Sequence, residues 1–123
     1  MGYFEKIFKA LADRSRLKVI AALGEGELCV CQITELLSFS QPTVSRHISV
    51  LQQAGLVESE KRDRWVFYRL ADEDVSDEVQ KTLGFLKELF EDSEKYLQIK
   101  KQITDIKSIS PEELCRQKRE KQR

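Results

Sequence analysis

The chain has 123 residues, of which 41% are apolar and 34% charged, and its formal net charge at neutral pH is zero. This length allows one domain with a single modest core, and the apolar fraction excludes an intrinsically disordered chain. No run approaches the ~18 consecutive apolar residues of a membrane-spanning helix, and no basic segment followed by an apolar run suggests a signal peptide. We therefore expect a cytoplasmic protein with no membrane partner, in which cysteines stay reduced.

Apolar residues in the first half of the chain recur every three or four positions, which predicts short amphipathic helices. Asp13 is a suitable N-cap for the second helix, which stops at Gly24. Ser40 can cap the fourth helix, Pro42 is tolerated in its first turn, and Gly55 ends it. The four predicted helices cover approximately residues 4–11, 14–23, 30–37 and 41–55.

Between residues 56 and 70 the apolar period changes to two, which predicts a β-hairpin. Its strands cover 56–61 and 64–70, around Arg62 and Asp63. Two short helices joined by a tight turn and followed by a hairpin indicate a winged helix-turn-helix. The predicted fold is thus mainly α with a small β-hairpin, and its expected partner is double-stranded DNA.

The helical pattern returns at Asp74 and predicts one helix of about thirty residues, ending near Ile106. A chain of this size offers no partner of equal length. We therefore expect the helix to pack, with the first helix, on its own copy in a homodimer, the alternative being that it folds back over the core. We assign residues 1–106 to the DNA-binding and dimerisation domain and 107–123 to a basic C-terminal tail. Ser110 can start a short helix there, but five basic side chains in the last eight residues favour a solvated tail.

The fourth helix is the predicted DNA-reading element. Val44, Ile48 and Leu51 share one face, which we expect to point inward. Amide, hydroxyl and guanidinium groups on the opposite face can bond base edges, and arginines near the hairpin tip can reach phosphate or the minor groove, although a solvated turn is an equal alternative. His47 can meet phosphate or be a partly buried structural residue. The candidate DNA-binding residues are Gln41, Thr43, Ser45, Arg46, Arg62 and Arg64.

Two of the three cysteines, Cys29 and Cys31, flank a single residue at the start of the third helix. In a reducing compartment such a pair indicates a metal or redox site more than a structural disulfide. On a regular helix the two side chains point about 200° apart, so they can hold one ion only if the first turn is frayed. The alternative is that both are small apolar fillers.

Four blocks of the sequence, in order, carry a resemblance to the ArsR/SmtB family of bacterial repressors. The similarity covers residues 4 to about 95 and rests on "ALADRSRLKVIAAL", "GELCVCQITELL", "SQPTVSRHISVLQQAGLV" and "RWVFYRL". The resemblance implies a homodimeric winged-helix repressor that binds operator DNA and is released by a thiophilic or metal ligand. The "ELCVC" block is similar to the metal box of that family.

The arsenic-type box of this family commonly has a third cysteine where this chain has Thr34. A free cellular thiol, or Cys115 from either protomer, could replace that sulfur. We expect arsenite or antimonite as inducer, held by thiolates of Cys29, Cys31 and Cys115. Residues 72–106 contain no histidine, which argues against the zinc-type site of the family.

Three alternatives differ in the signal or in the class of protein. Cadmium or lead could replace arsenite, or the cysteines could respond to oxidants or persulfides. A thiol-dependent enzyme is disfavoured because no Gly-rich loop and no acid/base pair accompany the cysteines.

Overall fold

The structure is a computed structural model that describes residues 2–72 and 75–121. Within these residues the chain forms seven helices and three strands. In chain order they are α1 Gly2–Leu11, α2 Arg14–Leu23, β1 Leu28–Cys29, α3 Val30–Leu37, α4 Gln41–Gln53, β2 Val57–Arg62, β3 Trp65–Leu70, α5 Asp77–Glu91, α6 Glu94–Lys107 and α7 Pro111–Lys121. None of the described helices is both long and apolar enough to cross a membrane.

The ends of the first four helices follow local sequence signals. Asp13 caps α2, and its carboxylate accepts the Arg16 backbone N–H at 3.1 Å. Ser40 is the N-cap of α4, Pro42 lies in the first turn, and Gly55 follows the helix with φ of +78°, a left-handed conformation suited to glycine. The predicted helix ends are confirmed, but the Ser40 side chain makes no capping hydrogen bond to the backbone.

The hairpin belongs to a three-stranded antiparallel sheet with the order β1-β3-β2. Arg62 pairs with Trp65, so the turn lies at Asp63 and Arg64, one residue later than predicted. Asp63 has φ of 56°, a left-handed conformation that aspartate tolerates better than most residues. The short strand β1, in which Cys29 pairs with Phe67, was not predicted.

The core lies between the helix-turn-helix, the sheet and the later helices. Val44, Ile48 and Leu51 of α4 are at most 1% exposed, which confirms the predicted inward face. Helix α3 packs on α4 on one side and on α6 and α7 on others. A displacement of α3 would therefore reach α4 directly.

The predicted long helix is wrong in one respect, because the chain breaks at Asp92 and Ser93 into α5 and α6. The Ser93 hydroxyl accepts the Tyr96 backbone N–H at 3.4 Å and so starts a new helix. Helix α6 folds back on α2 and α3, where Ile103 and Ile106 are buried. Burial of these side chains favours the bend over a straight helix.

The expectation of a frayed, solvated tail is wrong for Pro111–Lys121, which form helix α7. Ser110 accepts the Glu113 backbone N–H at 3.2 Å, as the capping spacing predicts. Leu114 is 1% exposed within the core, and α7 packs on α3. The division into residues 1–106 and 107–123 stays a prediction, although this packing joins α7 to the rest of the fold.

Candidate nucleic-acid interface and cysteine site

The proposed reading surface of α4 faces solvent. Gln41, Ser45 and Arg46 are exposed, and Thr43 is half-buried. The Thr43 hydroxyl shares a hydrogen bond of 3.0 Å with the hydroxyl of Ser40. Since the opposite face is anchored in the core, these polar groups project from a rigid support, as base readout requires. Their contact with DNA stays a prediction.

The two hairpin arginines lie in different environments. Arg62 is bonded to the carboxylate of Glu27, and its guanidinium carbon lies 4.2 Å from the ring centroid of Phe67. This hydrogen bond holds the pKa of the Glu27 carboxyl below its usual range. Arg64 is exposed and lies over Trp65 at 5.4 Å, with no carboxylate paired to it among the described residues. Arg64 is thus the freer of the two for phosphate contact.

A polar cluster that the sequence analysis missed connects three helices through Arg16. Its guanidinium donates to the carbonyl oxygens of Ala10 at 2.6 Å and Lys9 at 3.1 Å, and lies 3.2 Å from Nδ1 of His47. A guanidinium only donates, so Nδ1 of His47 is the acceptor in this contact. The cluster explains the half-buried His47 and supports the end of α1 against α4.

Asp13 completes this cluster. Partial burial raises the pKa of its carboxyl, but hydrogen bonds from the backbone N–H groups of Arg16 and Ser15, together with the charge of Arg16, outweigh burial, so the net pKa is lowered. The signal available in the sequence was the N-cap aspartate three residues before an arginine. The contact with His47 required the tertiary structure.

The three cysteines do not form one group. Cys31, in the first turn of α3, is disulfide-bonded to Cys115 of α7 in the same chain, with 5.3 Å between their Cα atoms. Cys29 is a free thiol, 1% exposed, in strand β1. Among residues 2–72 and 75–121, no cluster of three His, Cys, Asp or Glu side chains is arranged to hold a metal ion.

Contacts around Cys31 hold β1, α3 and α7 in place. The Cys29 backbone N–H donates to Oε1 of Gln32 at 2.9 Å, so Cys29 lies in an ordered strand and not in a frayed turn. Thr34, at the position of the family's third cysteine, is buried and donates its hydroxyl to the Val30 carbonyl at 2.7 Å. On the next turn of α7 after Cys115, Lys118 forms an ion pair of 2.5 Å with Glu35 of α3.

The sequence of the helix-turn-helix has known relatives. Residues 13–59 match a family described as bacterial regulatory proteins of the arsR family. The chain is also 41% identical, over 81 residues, to an uncharacterised HTH-type transcriptional regulator of Methanocaldococcus jannaschii, a match that covers 63% of this chain and 91% of that protein. The chain belongs to the arsR family.

Two further comparisons of this arsR-family chain are with an arsenical repressor and with a solved DNA-binding domain. It is 46% identical over 67 residues to the arsenical resistance operon repressor of Escherichia coli, which covers 54% of this chain and 57% of that protein. The matches to this repressor and to the arsenic resistance transcriptional regulator ArsR1 of Pseudomonas putida span little more than half of the lengths of those two proteins. The solved homodimeric winged helix-turn-helix DNA-binding domain of a possible ArsR-family regulator from Mycobacterium bovis superposes with a TM-score of 0.61 at 25% identity, covering 72% of this chain and 78% of that one.

These comparisons confirm the winged helix-turn-helix fold and the family predicted from the sequence. The relatives are transcriptional regulators and not enzymes, in agreement with the expectation for this chain.

Proposed function

We propose that this protein is a transcriptional repressor that binds operator DNA as a homodimer and is released when arsenite or antimonite binds its cysteine thiolates. The observation that carries the proposal is that Cys115 of α7 meets Cys31 in the first turn of α3, the first helix of the helix-turn-helix. In the reduced protein, two thiols at this place can capture a thiophilic ion where it acts on the DNA-binding unit.

DNA binding is assigned to α4 and the hairpin. The exposed Arg46 can form two hydrogen bonds to a guanine, and Gln41 and Ser45 can bond neighbouring base edges. Arg64 at the hairpin tip supplies a phosphate contact. The zero net charge of the chain fits a mode in which a few placed arginines, and not a basic surface, contact the DNA.

Homodimerisation is assigned to α1 and α5. Phe8 is 69% exposed, Phe85 59% and Leu89 55%, and Tyr3 and Phe4 add to the apolar surface of α1. Large apolar side chains concentrated on two helices mark an interaction surface. The homodimeric relative from Mycobacterium bovis supports a second copy of this chain as the partner.

We expect release because α3 carries Cys31 of the cysteine site and also packs on α4. Sulfur–arsenic bonds at Cys31 would move the start of α3, and α4 would tilt with it. A tilt in both protomers would change the spacing and angle of the two α4 helices, which would then no longer fit two successive half-sites of the operator. The bonds shift the equilibrium because they form better in the DNA-free state than in the DNA-bound state.

The test is fluorescence anisotropy of labelled DNA from upstream of the protein's own gene. The DNA is titrated with protein kept reduced by a phosphine, because a dithiol reductant would itself bind arsenic. Arsenite is then added, and release at micromolar arsenite supports the proposal. An unchanged complex in arsenite and antimonite refutes it, and release by cadmium or lead alone would change the inducer.

The Cys31–Cys115 disulfide favours a second candidate, in which the signal is oxidation. Two thiols would lose two electrons and two protons to a peroxide or polysulfide, and the bond formed would fix α7 to α3. In the same assay, release by peroxide, reversed by the phosphine and absent with arsenite, would select this candidate.

A further inference from the structure

The cysteine site contains two sulfurs rather than three. We infer, on the basis of the proposed function, that Cys31 and Cys115 of one protomer form a dithiol site whose preferred ligand is a trivalent arsenical carrying one carbon substituent, R–As(OH)2. Arsenite, which lacks such a substituent, is then the weaker ligand.

The two sulfurs come from residues 84 positions apart and are nevertheless in bonding contact. The position of Cys115 is determined by Leu114, its buried neighbour in α7, and by the ion pair between Lys118 and Glu35. Packing and charge thus bring the second thiol to Cys31 independently of the covalent bond. When the disulfide is reduced by two equivalents of a cellular thiol, the pair stays close enough to hold one arsenic atom between them.

No third sulfur is in position. Cys29 is 1% exposed, its N–H is bonded to Gln32, and its strand pairs with β3 at Phe67. Moving Cys29 into the site would break this strand pairing and leave backbone groups unbonded. The Thr34 hydroxyl is committed to the Val30 carbonyl. The described residues hold no cluster of three ligating side chains that would include the pair.

A two-sulfur site matches the bonding of a monosubstituted arsenical. R–As(OH)2 and two cysteine thiols give R–As(S–Cys)2 and two waters, arsenic stays trivalent, and no electron acceptor is needed. The carbon substituent fills the third position of arsenic from the start. Arsenite fills only two positions with protein sulfur and keeps one hydroxyl. Cys115 is half-buried, which leaves an open side for the substituent.

The experiment uses phenylarsine oxide with the full-length protein, reduced by a phosphine and bound to operator DNA. Thiol titration should show that one phenylarsenic group removes two of the three thiols. We expect DNA release at a concentration about tenfold or more below that of arsenite, which corresponds to roughly 1.4 kcal/mol.

Single substitutions locate the sulfurs. Cys31→Ser and Cys115→Ser should each abolish high-affinity binding of phenylarsine oxide. Cys29→Ser is the matched control and should still lose two thiols and release DNA normally. Operator affinity before addition of the arsenical shows that each variant is folded, and Cys29→Ala serves if the serine is not tolerated in the core.

Two results would overturn the inference. If Cys29→Ser abolishes release and arsenite acts as well as phenylarsine oxide, the site holds three sulfurs, and the proposed repressor function stands without this ligand class. If no arsenical releases DNA from a protein that binds it, both the proposed function and this inference fail.

Discussion

Leu114 offers a direct test of whether α7 is an integral part of the fold. Its side chain is 1% exposed in a helix that packs on α3. Leu→Ala substitutions at buried sites cost about 2–5 kcal/mol, of which part reflects the residual cavity. Because α7 is a terminal helix with room to adjust, the cavity can partly close. We therefore expect Leu114→Ala to lower the free energy of unfolding by about 2–3 kcal/mol.

The measurement is urea unfolding followed by far-UV circular dichroism. Protomer concentration is held constant because dimerisation contributes to stability, and a phosphine keeps the disulfide reduced so that only packing is compared. Arg119→Ala, on the exposed side of the same helix, is the matched control and should change stability by less than about 0.5 kcal/mol. If Leu114→Ala lowers the free energy of unfolding by no more than Arg119→Ala does, the docking of α7 is refuted.

Three further predictions concern DNA, the dimer and pH. Arg46→Ala should weaken specific operator binding by about 1–3 kcal/mol in the anisotropy assay, and an unchanged preference for operator over unrelated DNA would remove Arg46 from the reading surface. Phe8→Ser should shift the monomer–dimer equilibrium toward monomer in analytical ultracentrifugation, because burying a phenylalanine contributes roughly 1.5–3 kcal/mol, whereas an unchanged equilibrium would place the dimer interface elsewhere. The lowered pKa of Asp13 means that its contribution to stability is present above its ordinary pKa and is lost as the pH falls through the lower folded value. Urea unfolding of Asp13→Asn should therefore differ from wild type most at neutral pH and least at a pH below the lowered folded pKa of Asp13, and an equal difference at both would contradict the assignment.

Much of the helix-turn-helix could be predicted from local sequence. The period of Val44, Ile48 and Leu51 identified the buried face of α4, and Asp13, Ser40 and Gly55 marked helix ends through bonds or conformations within a few residues. Such signals can be recognised in the sequence because a helix forms its backbone hydrogen bonds, and positions its side chains on one face, within a few residues. The family resemblance, carried by ordered motifs in this region, is confirmed by the match over residues 13–59.

The cysteine site depended on contacts between distant parts of the chain. Strand β1 exists because Cys29 pairs with Phe67 across 38 positions, and two residues carry no periodic signal of their own. The bend at Ser93 and the docking of α7 arise from burial of Ile103, Ile106 and Leu114 against α2 and α3. Local sequence could show that these side chains were apolar and that Cys115 existed. Only the packed core decides that Cys115 meets Cys31 and that Cys29 is held away, because burial energy is set by which surfaces meet and not by their spacing along the chain.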